Sequence, residues 1–423
     1  MTESNSLLEG CRILDLTDEK GIFAGKVLGD FGADVIKIEK PGGDPARKIG
    51  PFYKDIEDPE KSLFWFAANT SKRGITLDIE TPEGQEIFKK LAKTADIVIE
   101  SFKPGYMDSI GLGYCELKEI KPDIILTSIT GFGQTGPYAQ YETTDLIGTA
   151  MGGLARILGD LGTAPIRMGY VSQAHFHAGI QGALGSVMAY YHRELTGEGQ
   201  QVDVSMQDAV SLTLMNAVEI FELLGANLVG MGQFFISVRP EPVGILFTRM
   251  INPCKDGSVL YMFGGGAFGG TVDSSKELVK WANEEGKVLE LKDFDFATQW
   301  DASNMTQEEC DYYHGFMQEF VKNKTKAELY ERAVKNRIML APCNTVEDVT
   351  NDAQLKARGF WEEVEHPELD TTITYPGAPL KMEDTPWKIQ RRAPLIGEHN
   401  QEIYESLGFS AEEIEHLKTN GIV

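Results

Sequence analysis

Positive charge is what this chain has least of. Lys and Arg number 40 against 64 Asp and Glu, a formal net charge of −24. That balance excludes nucleic acid and an anionic membrane surface as partners, because both repel an acidic protein. It also makes any local cluster of cations informative, since a bound anion must be held against a repulsive background. Cysteine is scarce too: five residues, at 11, 115, 254, 310 and 343, odd in number and without a Cys-x-x-Cys pair. A disulfide framework and a zinc site are excluded on that ground, and a reducing cytoplasm fits. The N-terminus has no apolar signal core. The longest apolar stretch, Val210 to Val229, is interrupted by Asn216, Glu219 and Glu222, so it reads as a buried helix and not a membrane span. Internal repeats and low-complexity tracts are absent. A cytoplasmic globular protein is expected, and 423 residues leave room for two or three domains.

The first third of the chain alternates strands and helices. Arg12 to Thr17 is a short apolar strand, Phe23 to Phe31 a helix that Gly32 ends, and Val35 to Glu39 a second strand. Thr81-Pro82-Glu83 starts another helix, with a hydroxyl cap and Pro in the first turn, and Ile87, Phe88 and Leu91 form its apolar face. Ile97–Ile99 and Ile124–Ile129 are further strands. This rhythm predicts an α/β fold, a Rossmann-like parallel sheet covered on both faces. No Gly-x-Gly-x-x-Gly follows the first strand, which argues against a nicotinamide cofactor. From about residue 240 the character changes: Pro240, Pro242 and Pro253, a strand at Val259–Phe263, and helices near 275–286 and 307–333. The expected organisation is a large domain from 1–239, a smaller inserted α+β domain at 240–335, and a return to the large domain over 336–423. The run Gly264 to Gly270 lacks the Lys-Ser/Thr of a phosphate loop, so it reads as a turn of the small domain, with a mobile lid as the second reading.

Four segments carry more than composition. Leu14-Asp-Leu-Thr17 precedes Leu28 to Lys40 and Gly43-Asp44-x-x-Arg47. Asn69-Thr-Ser-Lys-Arg73-Gly-Ile-Thr-Leu-Asp78 precedes Ala95 to Gly105. Ser128 to Tyr138 is a glycine-rich stretch after a strand. Thr196 to Ala209 comes next, and Arg392-Ala-Pro-Leu-Ile-Gly-Glu-His399 closes the series. Each alone is a glycine-rich turn beside a strand. In this order over nearly the whole chain they resemble the class III CoA-transferases, the family of formyl-CoA transferase, carnitine CoA-transferase and the α-methylacyl-CoA racemases. The resemblance implies a Rossmann-like large domain, a smaller inserted domain, and two chains interlocked like links with the active site where they meet.

It also implies CoA thioesters as substrates, with no permanently bound cofactor and no metal. CoA needs cations for its phosphates and flat slots for adenine and pantetheine. The candidates are Lys40, Arg47, Lys72, Arg73 and Lys103, with Phe102 and Phe132 as walls; Lys40 and Lys72 match CoA-contact segments of the family. The family's Ala-Gly-Pro loop is here Glu19-Lys-Gly-Ile-Phe23, and Ser109 and Thr130 stand where formyl-CoA transferase has an arginine and a lysine.

The family's nucleophile is an aspartate that attacks the donor acyl-CoA and forms a mixed anhydride. Counting back without a gap from Arg193 puts His175 in its place. An imidazole near a helix N-terminus is kept neutral and at best forms an acyl-imidazole, which hydrolyses easily, so His175 reads as a packed histidine in an inherited pocket and no catalytic residue is assigned. His175-x-His177 lacks a third ligand for a metal. The racemase branch pairs a histidine before the aspartate that here is Asp145 with an acid at the position of His175; Thr144 and His175 stand there instead. Asp145 reads as structural. Within the family the chain is most similar to subunits of heteromeric enzymes that move CoA from succinyl-CoA to an aromatic dicarboxylic acid such as (R)-benzylsuccinate. The expected partner is therefore an aspartate-bearing homologue. The alternatives are a self-sufficient transferase or acyl-CoA hydrolase using His175, and a non-catalytic scaffold.

Overall fold

The structure, a computed structural model, describes residues 6–169, 172–240, 243–265, 270–301 and 305–423; of 238–240 and 243–244 it describes the backbone alone. The chain forms two compact units. One takes the chain up to Ala155, Arg167–Ala226 and Leu355–Val423; the other takes Arg156–Ile166 and Asn227–Gln354.

The first unit is built on six parallel strands: β1 (Arg12–Leu16), β2 (Asp34–Glu39), β3 (Lys72–Thr76), β4 (Ile97–Glu100), β5 (Ile125–Thr130) and β6 (Gln201–Ser205). Their spatial order is β3-β2-β1-β4-β5-β6, the doubly wound order that the alternation predicts. The helices that matter below are α1 (Ile22–Asp30), α2 (Leu63–Ala68), α3 (Pro82–Ala92), α4 (Asp145–Met151), α5 (Ala174–Thr196), α6 (Met206–Leu212) and α7 (Met215–Leu224). Successive strand residues face opposite sides. Leu14, Ile36, Val98 and Leu126 pack with Ile87, Phe88 and Leu91 of α3. Ile13, Val35, Ile97 and Ile125 pack on the other face with Ala24 and Leu28 of α1 and Ala178, Ala183 and Ala189 of α5. Helix α5 comes close to the sheet because its inner face is small: a Cβ on Gly182 would lie 2.4 Å from Ile129 Cδ1, and one on Gly179 2.9 Å from Phe23 Cβ.

The C-terminal stretch returns to the first unit and lies along β3, the open edge of the sheet. Arg391 carbonyl accepts from Ser71 N–H, Gly74 carbonyl accepts from His399 N–H at 2.9 Å, and Asn400 Oδ1 accepts from Thr76 N–H at 2.9 Å. The edge is thereby covered, as sheet edges in native proteins generally are. A Cβ on Gly74 would meet Pro394 at 2.8 Å, so the close approach requires glycine here.

The stretch 210–229 differs from the expectation of a buried helix. It breaks into the end of α6 and α7, and no residue of α7 is buried. Leu212, Met215, Val218, Phe221, Leu223 and Leu224 are all exposed. Among the described residues of the first unit, none covers them. Helix α5 likewise presents Phe176, Ile180, Leu184, Met188, Tyr191 and Leu195 outward, a stripe at three- and four-residue spacing along one helix face. No helix among the described residues is long and apolar enough to cross a membrane.

The second unit holds the antiparallel pair β7 (Phe234–Pro240) and β8 (Val243–Arg249), then β9 (Ile251–Cys254), β10 (Gly257–Tyr261) and β11 (Leu340–Cys343). It also holds the helices α8 (Thr271–Glu284), α9 (Gln307–Lys322) and α10 (Lys326–Asn336). The helical stretch expected near 307–333 is present as two helices, because Thr325 with Glu328 forms a capping box that starts α10. Strand β11 pairs with β10, which groups the chain as far as Gln354 with this unit, where the sequence expects the return to the large domain from 336. Of the run Gly264–Gly270, residues 266–269 lie outside the described residues, so neither reading of it is taken further.

Candidate functional site

In open α/β sheets ligands bind beyond the carboxyl ends of the strands, where the strand order reverses. Here that point lies between β1 and β4. Lys40 follows β2, Phe102 and Lys103 follow β4, and Phe132 follows β5, so four of the candidate residues share this edge. Lys40 pairs with Glu80 at 2.8 Å, Tyr106 Oη donates to Glu80 at 3.0 Å, and the Phe102 and Tyr106 rings lie 4.7 Å apart, which ties Lys40 to Phe102. Lys103 stands 3.4 Å from Glu142. Both ion pairs are exposed, and exposed pairs contribute little and open readily. Thr130 at the end of β5 has a buried hydroxyl with no partner among the described residues.

The other three cations are committed within the fold. Lys72 is fully buried, and its ammonium donates to Asp15 at 2.8 Å, to the Ile22 carbonyl at 2.7 Å and to Asn69 Oδ1 at 2.9 Å. Burial pulls its pKa down to about 8 against the attraction of Asp15. Arg47 donates to Glu39 at 2.6 and 2.8 Å and to Glu60 at 2.7 Å, and its guanidinium lies 3.9 Å from the Trp65 ring centre. Arg73 forks onto Asp34 and also reaches Glu402. A phosphate reaching any of these three has to displace a carboxylate, a costly exchange for a buried pair.

Near the same edge, within the first unit, is a cavity of about 850 Å³. Its walls are Ile22 and Phe23 of α1, Ile49 to Pro51, Leu63, Phe64, Ala67 and Ala68 of α2, Thr144 to Leu146 of α4, and Ser172, His175 and Phe176 around the start of α5, with Glu19 and Arg167. The Phe23 and Phe176 ring centres are 4.4 Å apart. Helix α2 builds this wall because it is apolar all round: Trp65 and Phe66 go into the core and the other face is left for the cavity.

His175 is the second residue of α5 and is only 8% exposed. Its backbone N–H donates to Asp145 Oδ1 at 3.2 Å, so the Asp145 carboxylate satisfies one of the orphan donors of the helix start. The imidazole has no partner on either nitrogen among the described residues. Burial lowers its pKa, while Asp145 and Asp18 pull the other way and Lys20 adds to the lowering. The lowering favours the neutral ring. The remaining carboxyl of the wall, Glu19, is pushed up by burial and by Asp18. Thr144 caps α4, accepting from Ile147 N–H at 3.4 Å. An acid–base pair of the racemase kind is not formed by Thr144 and His175. No group of three or more His, Cys, Asp or Glu among the described residues is placed to hold a metal ion.

Sequence reasoning did not single out Arg167, Phe64 or Phe176, and it met Glu19 and Phe23 only as the ends of the loop that replaces the family's Ala-Gly-Pro. The all-round apolarity of Leu63–Ala68 is the signal that could have found part of the wall. Nothing local marks Arg167.

A parallel sheet in Rossmann order, cations and aromatic rings at its carboxyl edge, and an apolar cavity beside them define an α/β protein built for an amphipathic ligand. The chain belongs to CoA-transferase family III, whose model matches residues 8–400. It is 34% identical to the succinyl-CoA:(R)-benzylsuccinate CoA-transferase subunit BbsE of Thauera aromatica over 97% of each chain. It is 28% identical to the succinyl-CoA–L-malate CoA-transferase beta subunit of Chloroflexus aurantiacus over 98% of each. Among solved structures, a CaiB/BaiF family protein from Brucella suis matches with a TM-score of 0.81 at 29% identity, covering 95% of this chain and all of that one.

Proposed function

We propose that this chain is one subunit of a heteromeric CoA-transferase that moves CoA from succinyl-CoA to an aromatic dicarboxylic acid such as (R)-benzylsuccinate. Its partner is a homologous subunit that carries the nucleophilic aspartate. The observation that carries the proposal is the cavity wall: where the family's aspartate is expected stands His175, neutral and without a carboxylate to replace it. Asp145 is engaged with α5, and Glu19 lies on the loop after β1. Two further features support it. The relatives above are named as subunits, and both use succinyl-CoA. The outward faces of α5 and α7 carry runs of exposed apolar side chains, which a homologous subunit would cover. Lys40, Phe102, Lys103 and Phe132 are the residues proposed to meet CoA, while Arg47, Lys72 and Arg73 shape the site from within.

The family's transfer exchanges one thioester for another, a nearly isoenergetic swap, so the protein must mainly keep water from the intermediates. This chain contributes apolar walls to that end. A second reading, in which His175 itself attacks the thioester, rests on the lack of a hydrogen-bond partner for either ring nitrogen among the described residues. The test is to purify the chain alone and with its aspartate-bearing partner and assay both with succinyl-CoA and the acid. Transfer is expected from the pair and not from the chain alone, and His175→Ala should leave kcat of the pair within about twofold. Turnover by the isolated chain, or a loss of about a hundredfold or more in His175→Ala, would establish the second reading instead.

A further inference from the structure

We infer that the cavity is a non-covalent site for a free carboxylic acid with an apolar, aromatic-sized body, and that Arg167 selects that carboxylate. The inference deepens the proposed function and rests on its reading that this chain has no nucleophile.

The body of the guest is set by the walls. Phe23, Phe64 and Phe176 present rings, and Ile22, Leu63 and Leu146 present branched apolar side chains. About 850 Å³ is within the usual size for a small organic ligand, on the order of 300–1,000 Å³. Polar contact is confined to a few groups. Arg167 is the one cation among the described residues of the wall, and it has no ion-pair partner among them. That is informative in a chain with 24 more negative than positive charges. Of the two carboxyls on the same wall, Asp145 is engaged by the His175 backbone. Glu19 is pushed towards its neutral acid by burial and Asp18, and opposes an anion less than an ordinary glutamate.

His175 adds to the wall by shape alone: its side chain lines the cavity, while both ring nitrogens are covered by protein atoms and offer nothing to a guest. Phosphates are a poorer fit to this wall, because one arginine cannot neutralise them, whereas a guanidinium forks onto a single carboxylate. No step consumes the acid here: it is held and released unchanged.

The test is isothermal titration of the full chain, in the assembly it purifies in, with 3-phenylpropanoate and with the neutral 3-phenylpropanamide. The acid should bind, the amide about tenfold or more weaker, and Arg167→Gln should lose the acid's advantage with a similar drop. Arg167→Lys should recover part of it, and an unchanged thermal midpoint checks that both variants fold. Absence of acid binding, equal affinity for acid and amide, or an undiminished advantage in Arg167→Gln overturns the inference. Transfer activity measured in parallel keeps the two claims apart. An active pair whose chain ignores the acid sinks this inference alone, whereas an isolated chain that turns over succinyl-CoA sinks the proposed function whatever the acid affinity.

Discussion

His314 lies in α9 with its ring 5.5 Å from Tyr261 and 5.6 Å from Phe263, and its Nε2 has no partner among the described residues. Burial first, and Arg249 second, bring its pKa down to about 4. The folded state thus holds the ring neutral while the unfolded chain takes up a proton below about pH 6.5. Stability from this group is fully present above pH 6.5, falls as the pH drops, and levels off below about 4. The expected loss is on the order of 3 kcal/mol. Chemical unfolding at pH 7 and pH 4 should show that His314→Phe loses less stability than the parent over this interval; equal losses would refute the assignment. At this scale the sequence was uneven. The ungapped count from Arg193 back to His175 runs along a single helix, α5, without a break. The fates of Arg47 and Lys72 were not legible, because a lysine in a motif carries no sign of the Asp15 that will meet it across the sheet.

Helix α5 does two jobs with two faces. Its inner face is glycine and alanine, which admits the sheet; its outer face is the stripe from Phe176 to Leu195. If the proposed partner covers the outer face, a substitution there changes assembly and leaves folding alone. Leu184→Glu together with Met188→Glu, at positions 51% and 63% exposed, should leave the thermal midpoint of the separated chain within a few degrees. The same pair should shift the sedimentation of the assembled enzyme to that of free subunits. An assembly that survives both charges would place the interface elsewhere. Hydrophobic periodicity showed α3 well, since one face is buried and the other wet. It failed for 210–229, where continuous apolarity signals burial but cannot tell burial by the same chain from burial by another.

For the whole molecule, the parallel sheet and its strands β1, β2, β4 and β5 were legible because strand-length apolar runs alternate with helices, which leaves a doubly wound sheet as the economical solution, while β3 and β6 were not read as strands. The grouping of β11 with β10 was not legible, because antiparallel pairing across 257–343 leaves no local trace. The return of the tail to β3 also depends on one contact that periodicity does not register. Gly74→Val would drive a side chain into Pro394 and should cost on the order of 1–3 kcal/mol, read as a lower unfolding midpoint with greater loss to aggregation on heating. A neutral result would mean that the tail gives way at no cost.

That docking has a consequence in time. Gly74 meets His399, a residue 325 positions later. At roughly 5–20 residues per second, the ribosome takes roughly 15–65 s to supply the segment that covers β3, so the outer edge of a strand already available to β2 stays open through most of the chain's synthesis. Whatever protects that strand in the interval, a chaperone or a partner chain, acts on a nascent polypeptide.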